Sequence, residues 1–380
     1  MAVTVREAAG SVLVVGLAGT ELTALERAWL KLVRPGGVIL FRRNIADPGQ
    51  TRALLNEATG LGARHAARCV DVEGGTVNRL RDALAPIASA QAVAAADRTL
   101  RRPSLARKHG ALIGSATKAF GFNTTLAPVV DLTLPEANDV LGSRTTGAIP
   151  QDVIRYAREF LAGVATEGVV GCGKHFPGLG GASGDTHFLT PAIQRSWEQL
   201  WSEDMVPYRE LHKHMPMIMM NHAAYPRTRG KNFPASASRF WIAEILRKKI
   251  GYKGIVLSDD LEMGGILKFF PIEDAAVEAI RAGSDLLEIC HSAELILRSY
   301  EALISEAERS AAFRNILMKA AADSGRKRAQ LYRAGIPAPP TAKAIESLRS
   351  KIHAFNESVA RQGNTAADVA PRASAPAEAS

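Results

Sequence analysis

The chain has 380 residues, of which 47% are hydrophobic and 22% charged; this composition is typical of a globular protein and excludes collagen, coiled coil and wholesale disorder. The length allows two or three domains, or a single α/β barrel. Lys and Arg outnumber Asp and Glu by 47 to 38, which gives a net charge of +9, so a nucleic-acid-binding function has to be tested against where the charge lies.

The three cysteines, Cys69, Cys172 and Cys290, are too few and too far apart for a disulfide framework or a CxxC metal site. We therefore expect a reducing, cytoplasmic compartment and neither a metal nor a cofactor. The first apolar run (11–17) lacks the basic start and the cleavage site of a signal peptide, and we interpret it as a buried strand. No run of 18 apolar residues is present, so no membrane insertion is expected.

Eight short apolar runs alternate with helical patterns along the chain, and each run is predicted to be a strand. They are SVLVVGL (11–17), GVILF (37–41), RCVDVE (68–73), TTLAPVVDL (124–132), GVVGCGKHF (168–176), PMIMMNH (216–222), GIVLSDD (254–260) and SDLLEIC (284–290). Apolar strands between amphipathic helices are typical of a parallel sheet that is buried on both faces. The count of eight favours a single TIM-like (β/α)₈ barrel of the α/β class, although a doubly wound sheet gives similar local signals.

The C-terminal part of the chain differs in composition from the rest. We predict a catalytic barrel over residues 1–322, a basic and helical extension over 323–360, and a disordered tail over 361–380 that is rich in Ala, Pro and Ser. Residues 323–380 hold nine Lys or Arg and five Asp or Glu, so +4 of the net +9 lies outside the predicted barrel. The basic charge therefore does not indicate a nucleic-acid partner.

Polar and charged residues follow the predicted strands. They are Arg42, Arg43 and Asn44; Asp71 and Glu73; Asp131; Lys174 and His175; Asn221 and His222; Asp259 and Asp260; and His291. In a barrel, all these positions share the carboxyl-end face, where active sites lie. Polar residues also end strands for structural reasons, but seven such clusters favour a shared site.

The segment GKHFPGLGGASGDTHFLTP (173–191) is the most informative one. A strand ends in Lys174 and His175, and a glycine-rich loop follows that carries Asp185 and His187. A histidine two residues from an aspartate is suited to general acid/base work, because the carboxylate can hold one ring nitrogen while the other moves a proton. A flexible surface turn and a phosphate-binding loop are the alternatives, although GxxxxGK[ST] is absent.

Three further segments carry candidate site residues. In GIVLSDDLEM (254–263), Asp259 and Asp260 come at the end of a predicted strand. Such carboxylates can act as nucleophiles, metal ligands or helix N-caps, and periodicity does not decide which of the two faces the site. In VDVEGGTVNRL (70–80), Asp71 and Arg79 are suited to binding the hydroxyls of a sugar, or to a structural ion pair. The loop LGSRTTGAIP (141–150) presents Arg144.

Taken in order, these segments resemble glycoside hydrolase family 3, and within it the bacterial β-N-acetylhexosaminidases of cell-wall recycling. The resemblance covers about residues 11–290, and its most specific parts are Lys-His-Phe-Pro-Gly (174–178) and Ser-Asp-Asp-Leu (258–261). It implies a TIM-like barrel and a retaining enzyme that removes β-linked N-acetylglucosamine from small muropeptide fragments (GlcNAc-anhydroMurNAc). We expect this enzyme to be a monomer.

The resemblance also implies a role for each matched residue. Asp259 matches the catalytic nucleophile, His187 the general acid/base, and Asp185 the partner of that histidine. The residues that match positions holding the N-acetylglucosamine ring are Asp71, Arg79, Arg144, Lys174 and His175. The family's usual loop reads Lys-His-Phe-Pro-Gly-His-Gly-Asp, and in this chain Leu179 and Gly181 replace its second His and its Asp.

Three alternatives to this hydrolase remain. A phosphorylase that uses inorganic phosphate as acceptor could employ the same His and Asp. A β-glucosidase or β-xylosidase of the family usually takes its acid/base carboxylate from a second domain, for which this chain is too short. A catalytically inactive barrel that binds wall fragments or nucleic acid is disfavoured by the presence of Asp185, His187 and Asp259.

Overall fold

A computed structural model describes residues 3–98, 105–182, 191–231 and 233–363. It contains ten strands, which we number in chain order. They are β1 (Leu13–Val15), β2 (Gly37–Leu40), β3 (Ala67–Val70), β4 (Val72–Gly74), β5 (Val77–Asn78), β6 (Thr124–Thr125), β7 (Val170–Phe176), β8 (Met217–Met220), β9 (Ile255–Asp260) and β10 (Leu286–Ile289).

Eight of these strands form a closed barrel in the order β1-β10-β9-β8-β7-β6-β3-β2. All neighbouring pairs around the barrel are parallel. Each barrel strand lies within one of the eight runs assigned from the sequence, apart from the first residue of β3. The predicted TIM-like barrel is therefore confirmed, and the doubly wound sheet is excluded.

Fourteen α-helices lie among the described residues. They are α1 (Val5–Ser11), α2 (Ala24–Val33), α3 (Pro48–Gly60), α4 (Ala90–Arg98), α5 (Leu105–Ala119), α6 (Asn138–Leu141), α7 (Pro150–Thr166), α8 (Trp197–Gln199), α9 (Val206–Leu211), α10 (Gly264–Leu267), α11 (Ile272–Ala282), α12 (Ala293–Arg309), α13 (Ala311–Leu331) and α14 (Ala342–Gly363). Segments Leu200–Asp204 and Phe240–Lys249 are wider π-type helices, and short 3₁₀ turns span Arg42–Asn44, Pro135–Ala137, Gly142–Arg144 and Ala235–Ala237.

Two predicted strands are shorter in the structure than in the sequence assignment. The run 68–73 leaves the barrel after Val70, and β4 pairs with β5 as an antiparallel hairpin around the Gly74–Gly75 turn. Both glycines have positive φ (91° and 60°), a conformation that other residues adopt only at a cost. The run 124–132 retains only Thr124–Thr125 as a strand, because Pro128 has no N–H to donate to a ladder.

The barrel interior is filled by apolar side chains, and all three cysteines belong to this core and are free. The amino-terminal end of the barrel is closed by Tyr332, whose hydroxyl lies 2.8 Å from Thr124 Oγ1. Beside it, the buried Arg328 donates to the carbonyl oxygen of Gly36 at 2.8 Å. Residues after the last barrel helix thus seal the face opposite the carboxyl ends of the strands.

Helix α14 covers the second half of the extension predicted over 323–360 and docks on the barrel against α4 and α5. Its apolar face buries Ile352 and Val359, which are 0% and 1% exposed. The helix continues to Gly363, and the rest of the predicted tail lies outside the described residues. The boundary at 322 stays a prediction, and α13 runs through that position.

Within the described part of the chain, no helix combines the length and the apolar character that crossing a membrane requires.

Candidate active site

The predicted site residues that the structure describes converge on one face. Asp71 follows β3, Lys174 and His175 lie on β7, and Asp259 lies on β9. The strands are parallel, so these positions share the carboxyl-end rim of the barrel. Arg144 reaches the same rim from the 3₁₀ turn Gly142–Arg144.

A buried network of two carboxylates and two cations forms the centre of this rim. Lys174 Nζ lies 2.8 Å from Asp71 Oδ1 and 2.7 Å from Glu73 Oε1. Arg144 makes a bidentate contact with Glu73, from Nε to Oε2 at 2.9 Å and from NH2 to Oε1 at 3.0 Å. The side chains of Lys174 and Glu73 are 4% and 3% exposed, so the pairing occurs out of bulk water. We call these four residues the paired network.

The network holds Glu73 and Lys174 in the charged state. Burial favours the neutral form of Glu73, but the charges of Arg144 and Lys174 outweigh it and lower the pKa of Glu73 to about 2. Burial likewise disfavours the Lys174 ammonium, yet Asp71 and Glu73 raise its pKa above the usual range. The network therefore offers fixed charges of both signs, which is the chemistry that orients sugar hydroxyls.

His175 is oriented by a carboxylate that the sequence reasoning noted at a strand end but did not include among the site residues. Asp131 Oδ2 lies 2.7 Å from His175 Nδ1, and Asp131 Oδ1 accepts from the Leu179 N–H at 2.8 Å. His175 Nε2 lies 3.4 Å from Arg144 NH2. Arginine only donates, so Nε2 accepts and Nδ1 carries the proton donated to Asp131.

Asp131 therefore ties the histidine to the start of the glycine-rich loop. Leu179, the residue that replaces the family's histidine, contributes its backbone N–H to this contact. Its side chain is buried, with 3% exposed. A larger polar side chain is not needed to anchor this end of the loop.

Asp259 and Asp260 are adjacent on β9 but differ in their surroundings. Burial raises the pKa of Asp259, but His222, His175, the Asp260 N–H at 3.0 Å and Lys174 outweigh it and lower that pKa below its usual value. Burial and the charges of Glu262 and Asp259 instead raise the pKa of Asp260 to about 8. Near neutral pH, Asp259 is the ionised member of the pair.

Asp260 faces an outer part of the rim rather than the paired network. Its Oδ1 accepts from the Glu262 N–H at 3.0 Å, and its Oδ2 lies 3.7 Å from His291 Nε2. Among the described residues, Asp260, Glu262 and His291 form the one group whose donor atoms approach within 4.8 Å and could hold a cation. The Arg43 guanidinium lies 3.0 Å from His291 Nδ1 and disfavours a divalent ion there.

Arg79 borders the paired network. Its NH2 lies 4.0 Å from Asp71 Oδ2, and its backbone N–H donates to the Asp71 carbonyl at 3.0 Å. The guanidiniums of Arg79 and Arg43 also lie over the ring of Phe41, at 5.6 Å and 4.8 Å from its centroid. The structure thus brings Arg79 to the same site as Asp71, with Phe41 as an apolar wall.

The two remaining predicted residues, Asp185 and His187, lie outside the described residues, within the gap at 183–190. Both flanks of that gap are fixed to the rim. Leu179 donates to Asp131, and Ala192 forms an isolated parallel bridge with Ala224. The acid/base role of His187 and the partner role of Asp185 stay predictions.

The barrel and the rim define a class of protein, namely an α/β barrel with a charged site at the carboxyl ends of its strands, where barrel enzymes have their active sites. The sequence profile of the glycosyl hydrolase family 3 N-terminal domain matches residues 4–321. The chain therefore belongs to this family, and the family predicted from the sequence is confirmed.

Named relatives agree with this assignment. A β-hexosaminidase from Idiomarina loihiensis is 34% identical over 279 residues, which is 73% of this chain and 83% of that protein. A β-hexosaminidase from Methylococcus capsulatus is 33% identical over 345 residues, 90% of this chain and 98% of the relative.

Solved structures show the same architecture. A glycoside hydrolase family 3 β-N-acetylglucosaminidase from Paenibacillus sp. superposes with a TM-score of 0.85 at 28% identity, covering 94% of this chain and 69% of that chain. Native NagZ from Neisseria gonorrhoeae has a TM-score of 0.75 at 27% identity, covering 92% of this chain and 97% of that chain.

Proposed function

We propose that this protein is a retaining exo-β-N-acetylglucosaminidase that removes terminal β-linked N-acetylglucosamine from small carbohydrate substrates. The observation that carries the proposal is the buried paired network beside an ionised Asp259, at the active-site end of a family 3 barrel. The β-hexosaminidase relatives and the β-N-acetylglucosaminidase structure support the choice of sugar.

In the proposed first step, a carboxylate oxygen of Asp259 attacks the anomeric carbon while the bond to the leaving oxygen breaks. His187, held by Asp185, donates its proton to that leaving oxygen. The product of this step is a glycosyl-enzyme ester and a free aglycone. The depressed pKa of Asp259 supports this role, because a nucleophilic carboxylate must be ionised when the substrate binds.

In the second step, a water molecule attacks the same carbon, and His187 takes one of its protons. The ester bond to Asp259 breaks, and N-acetylglucosamine leaves with its original anomeric configuration. Throughout the cycle, the ring hydroxyls bind Asp71, Arg79, Arg144, Lys174 and His175. These groups are fixed before substrate arrives, so their contacts contribute to transition-state stabilisation without reorganisation.

The natural substrate in this proposal is a muropeptide fragment of the GlcNAc-anhydroMurNAc type, cleaved in the cytoplasm by a monomeric enzyme during cell-wall recycling. This assignment rests on the family resemblance. Three free, buried cysteines are consistent with a reducing compartment.

A panel of 4-nitrophenyl β-glycosides that differ only in the sugar tests the proposal. We expect turnover of the N-acetylglucosaminide and none of the glucoside or xyloside. Activity that requires inorganic phosphate and releases a sugar 1-phosphate would identify a phosphorylase instead. Binding of wall fragments without turnover of any glycoside would identify an inactive barrel.

A further inference from the structure

The last helix, α14, lies outside the residues that the family profile matches, yet it contacts the chain close to the paired network. Asn356 on this helix uses both halves of its amide on one backbone segment. Its Nδ2 donates to the Pro86 carbonyl at 2.9 Å, and its Oδ1 accepts from the Ala88 N–H at 2.9 Å. Asn356 is only 9% exposed, and losing its bond to Ala88 would leave a buried backbone N–H unsatisfied.

Segment 86–88 is hydrogen-bonded to Asn356 on one side and contacts the Gly74–Gly75 turn on the other. The Gly75 N–H donates to the Ile87 carbonyl at 2.8 Å. A Cβ added at Gly74 would clash with the Ala88 carbonyl oxygen, and one added at Gly75 would lie 2.7 Å from Ser89 Cβ. The turn and the segment are therefore in direct backbone contact with no space between them.

The neighbouring residue on α14 supports the same turn from a second side. The ring of Phe355 stacks on the ring of His109, with centroids 5.7 Å apart and planes 15° from parallel. His109 Nδ1 lies 2.8 Å from the Tyr156 hydroxyl, which fixes the ring. A Cβ at Gly74 would lie 2.9 Å from His109 Nε2, so this ring is the other wall around the turn.

The turn directly follows Glu73, the carboxylate that holds both Lys174 and Arg144. We propose that α14 is a brace for the sugar-binding site, and that Asn356 is a positioning residue that fixes Glu73, and through it Lys174 and Arg144, by way of segment 86–88. Asn356 is not one of the predicted site residues, and it acts through backbone contacts. The effect on sugar binding rests on the function proposed above.

An apolar substitution with the same branching and number of heavy atoms, Asn356→Leu, tests the brace. Wild type and variant are compared in the KM for 4-nitrophenyl β-N-acetylglucosaminide and in the Ki of free N-acetylglucosamine. We expect both constants to rise by about three- to tenfold, as for the loss of well-placed binding groups. A merely structural role would lower the folded, active fraction and hence the apparent kcat, and would leave KM and Ki unchanged.

A matched control is Val359→Ala, which trims a buried side chain of the same helix without removing a hydrogen bond. We expect this variant to lower the thermal midpoint while KM and Ki stay at the wild-type values. Equal increases in KM and Ki in both variants would contradict the positioning role of Asn356, because helix docking in general, and not this side chain, would then set sugar affinity.

Amide hydrogen exchange separates the brace from the proposed function, since it needs no substrate. We expect faster exchange in peptides covering residues 72–89 in Asn356→Leu and wild-type exchange there in Val359→Ala. Unchanged exchange in Asn356→Leu would overturn the brace even if the wild type hydrolyses the glycoside. Faster exchange with an unchanged Ki would overturn its effect on sugar binding. A wild type that hydrolyses no N-acetylglucosaminide would overturn the proposed function itself.

Discussion

Two groups of carboxyls lie on the same rim of the barrel and have opposite electrostatics. In the paired network, Glu73 contacts both Lys174 and Arg144, and its pKa falls to about 2. In the outer group, which consists of Asp260 and Glu262, burial and the charges of Glu262 and Asp259 raise the pKa of Asp260 to about 8. Burial favours the neutral form in both groups, so the opposite direction at Glu73 comes from its two cationic neighbours.

The adjacent residues Asp259 and Asp260 differ in the same way. Asp259 lies beside Lys174, His175 and His222 and stays ionised, whereas Asp260 stays protonated at neutral pH. An ionised carboxylate is a nucleophile, and a neutral one is not. Two consecutive residues of β9 therefore differ in their charge at neutral pH.

The largest expected effect comes from removing the ionised carboxylate. Asp259→Asn should lower kcat/KM for 4-nitrophenyl β-N-acetylglucosaminide by more than about 10³-fold, because the covalent step is lost. Asp260→Asn is the matched control and should lose less than about tenfold, since the amide resembles the neutral acid. Comparable losses in the two variants would remove the distinction between the groups.

The next effect comes from opening the paired network. Glu73→Gln should lower the free energy of unfolding at pH 7 by about 3 kcal/mol, because two buried cations lose their shared partner. The folded-state pKa of Glu73 is depressed from 4.5 to about 2, so its contribution is complete above pH 4.5 and is lost as the pH falls through 2.

Chemical denaturation at pH 7 and at acidic pH measures this contribution. The stability difference between wild type and Glu73→Gln should be largest at neutral pH and should shrink as the pH falls from about 4.5 towards 2. A difference that is the same at every pH would show that the charge of Glu73 is not what stabilises the network.

A smaller effect is expected from the turn that carries Glu73. Gly74→Ala places a side chain at φ 91° and against the Ala88 carbonyl, so the free energy of unfolding should fall by more than about 1 kcal/mol. Because the turn shifts, KM should rise as well. Gly251→Ala is a control with positive φ (83°) and open space around its Cβ, and it should change stability without changing KM.

The last prediction concerns the outer group and its effect on stability alone. A folded-state pKa of Asp260 raised to about 8 favours the fold at low pH, and this stability is lost as the pH rises from about 4 to 8. Asp260→Asn cannot ionise, so its stability should fall less steeply over that window, by up to about 1.4 kcal/mol per pH unit. Parallel stability curves for the two proteins would show that Asp260 is already ionised.

Much of the fold followed from local patterns. Each of the eight apolar runs contains a barrel strand, because a strand buried on both faces leaves a continuous apolar signal. The convergence of Asp71, Lys174 and Asp259 also followed, since parallel strands share one carboxyl-end face. Helix α1 was missed, although its capping box of Thr4 and Glu7 is visible in the sequence.

Other features depend on distant contacts that a single sequence does not encode locally. The sequence shows Asp131 only as one of several polar residues at strand ends. Its bond to His175 joins positions 44 residues apart, so no local pattern indicates it. The difference between Asp259 and Asp260 depends on charges from other strands. The docking of α14 on segment 86–88 joins residues about 270 positions apart.

Chemical trapping of the covalent intermediate tests directly whether Asp259 is the nucleophile. A fluorinated N-acetylglucosaminyl fluoride, which forms the ester quickly and hydrolyses it slowly, is incubated with the enzyme, and the labelled peptide is sequenced by mass spectrometry. We expect one added sugar, attached to Asp259 within the segment 254–263. A sugar attached to Asp260 or to another residue would contradict this expectation, as would turnover of the substrate by the enzyme without any covalent adduct.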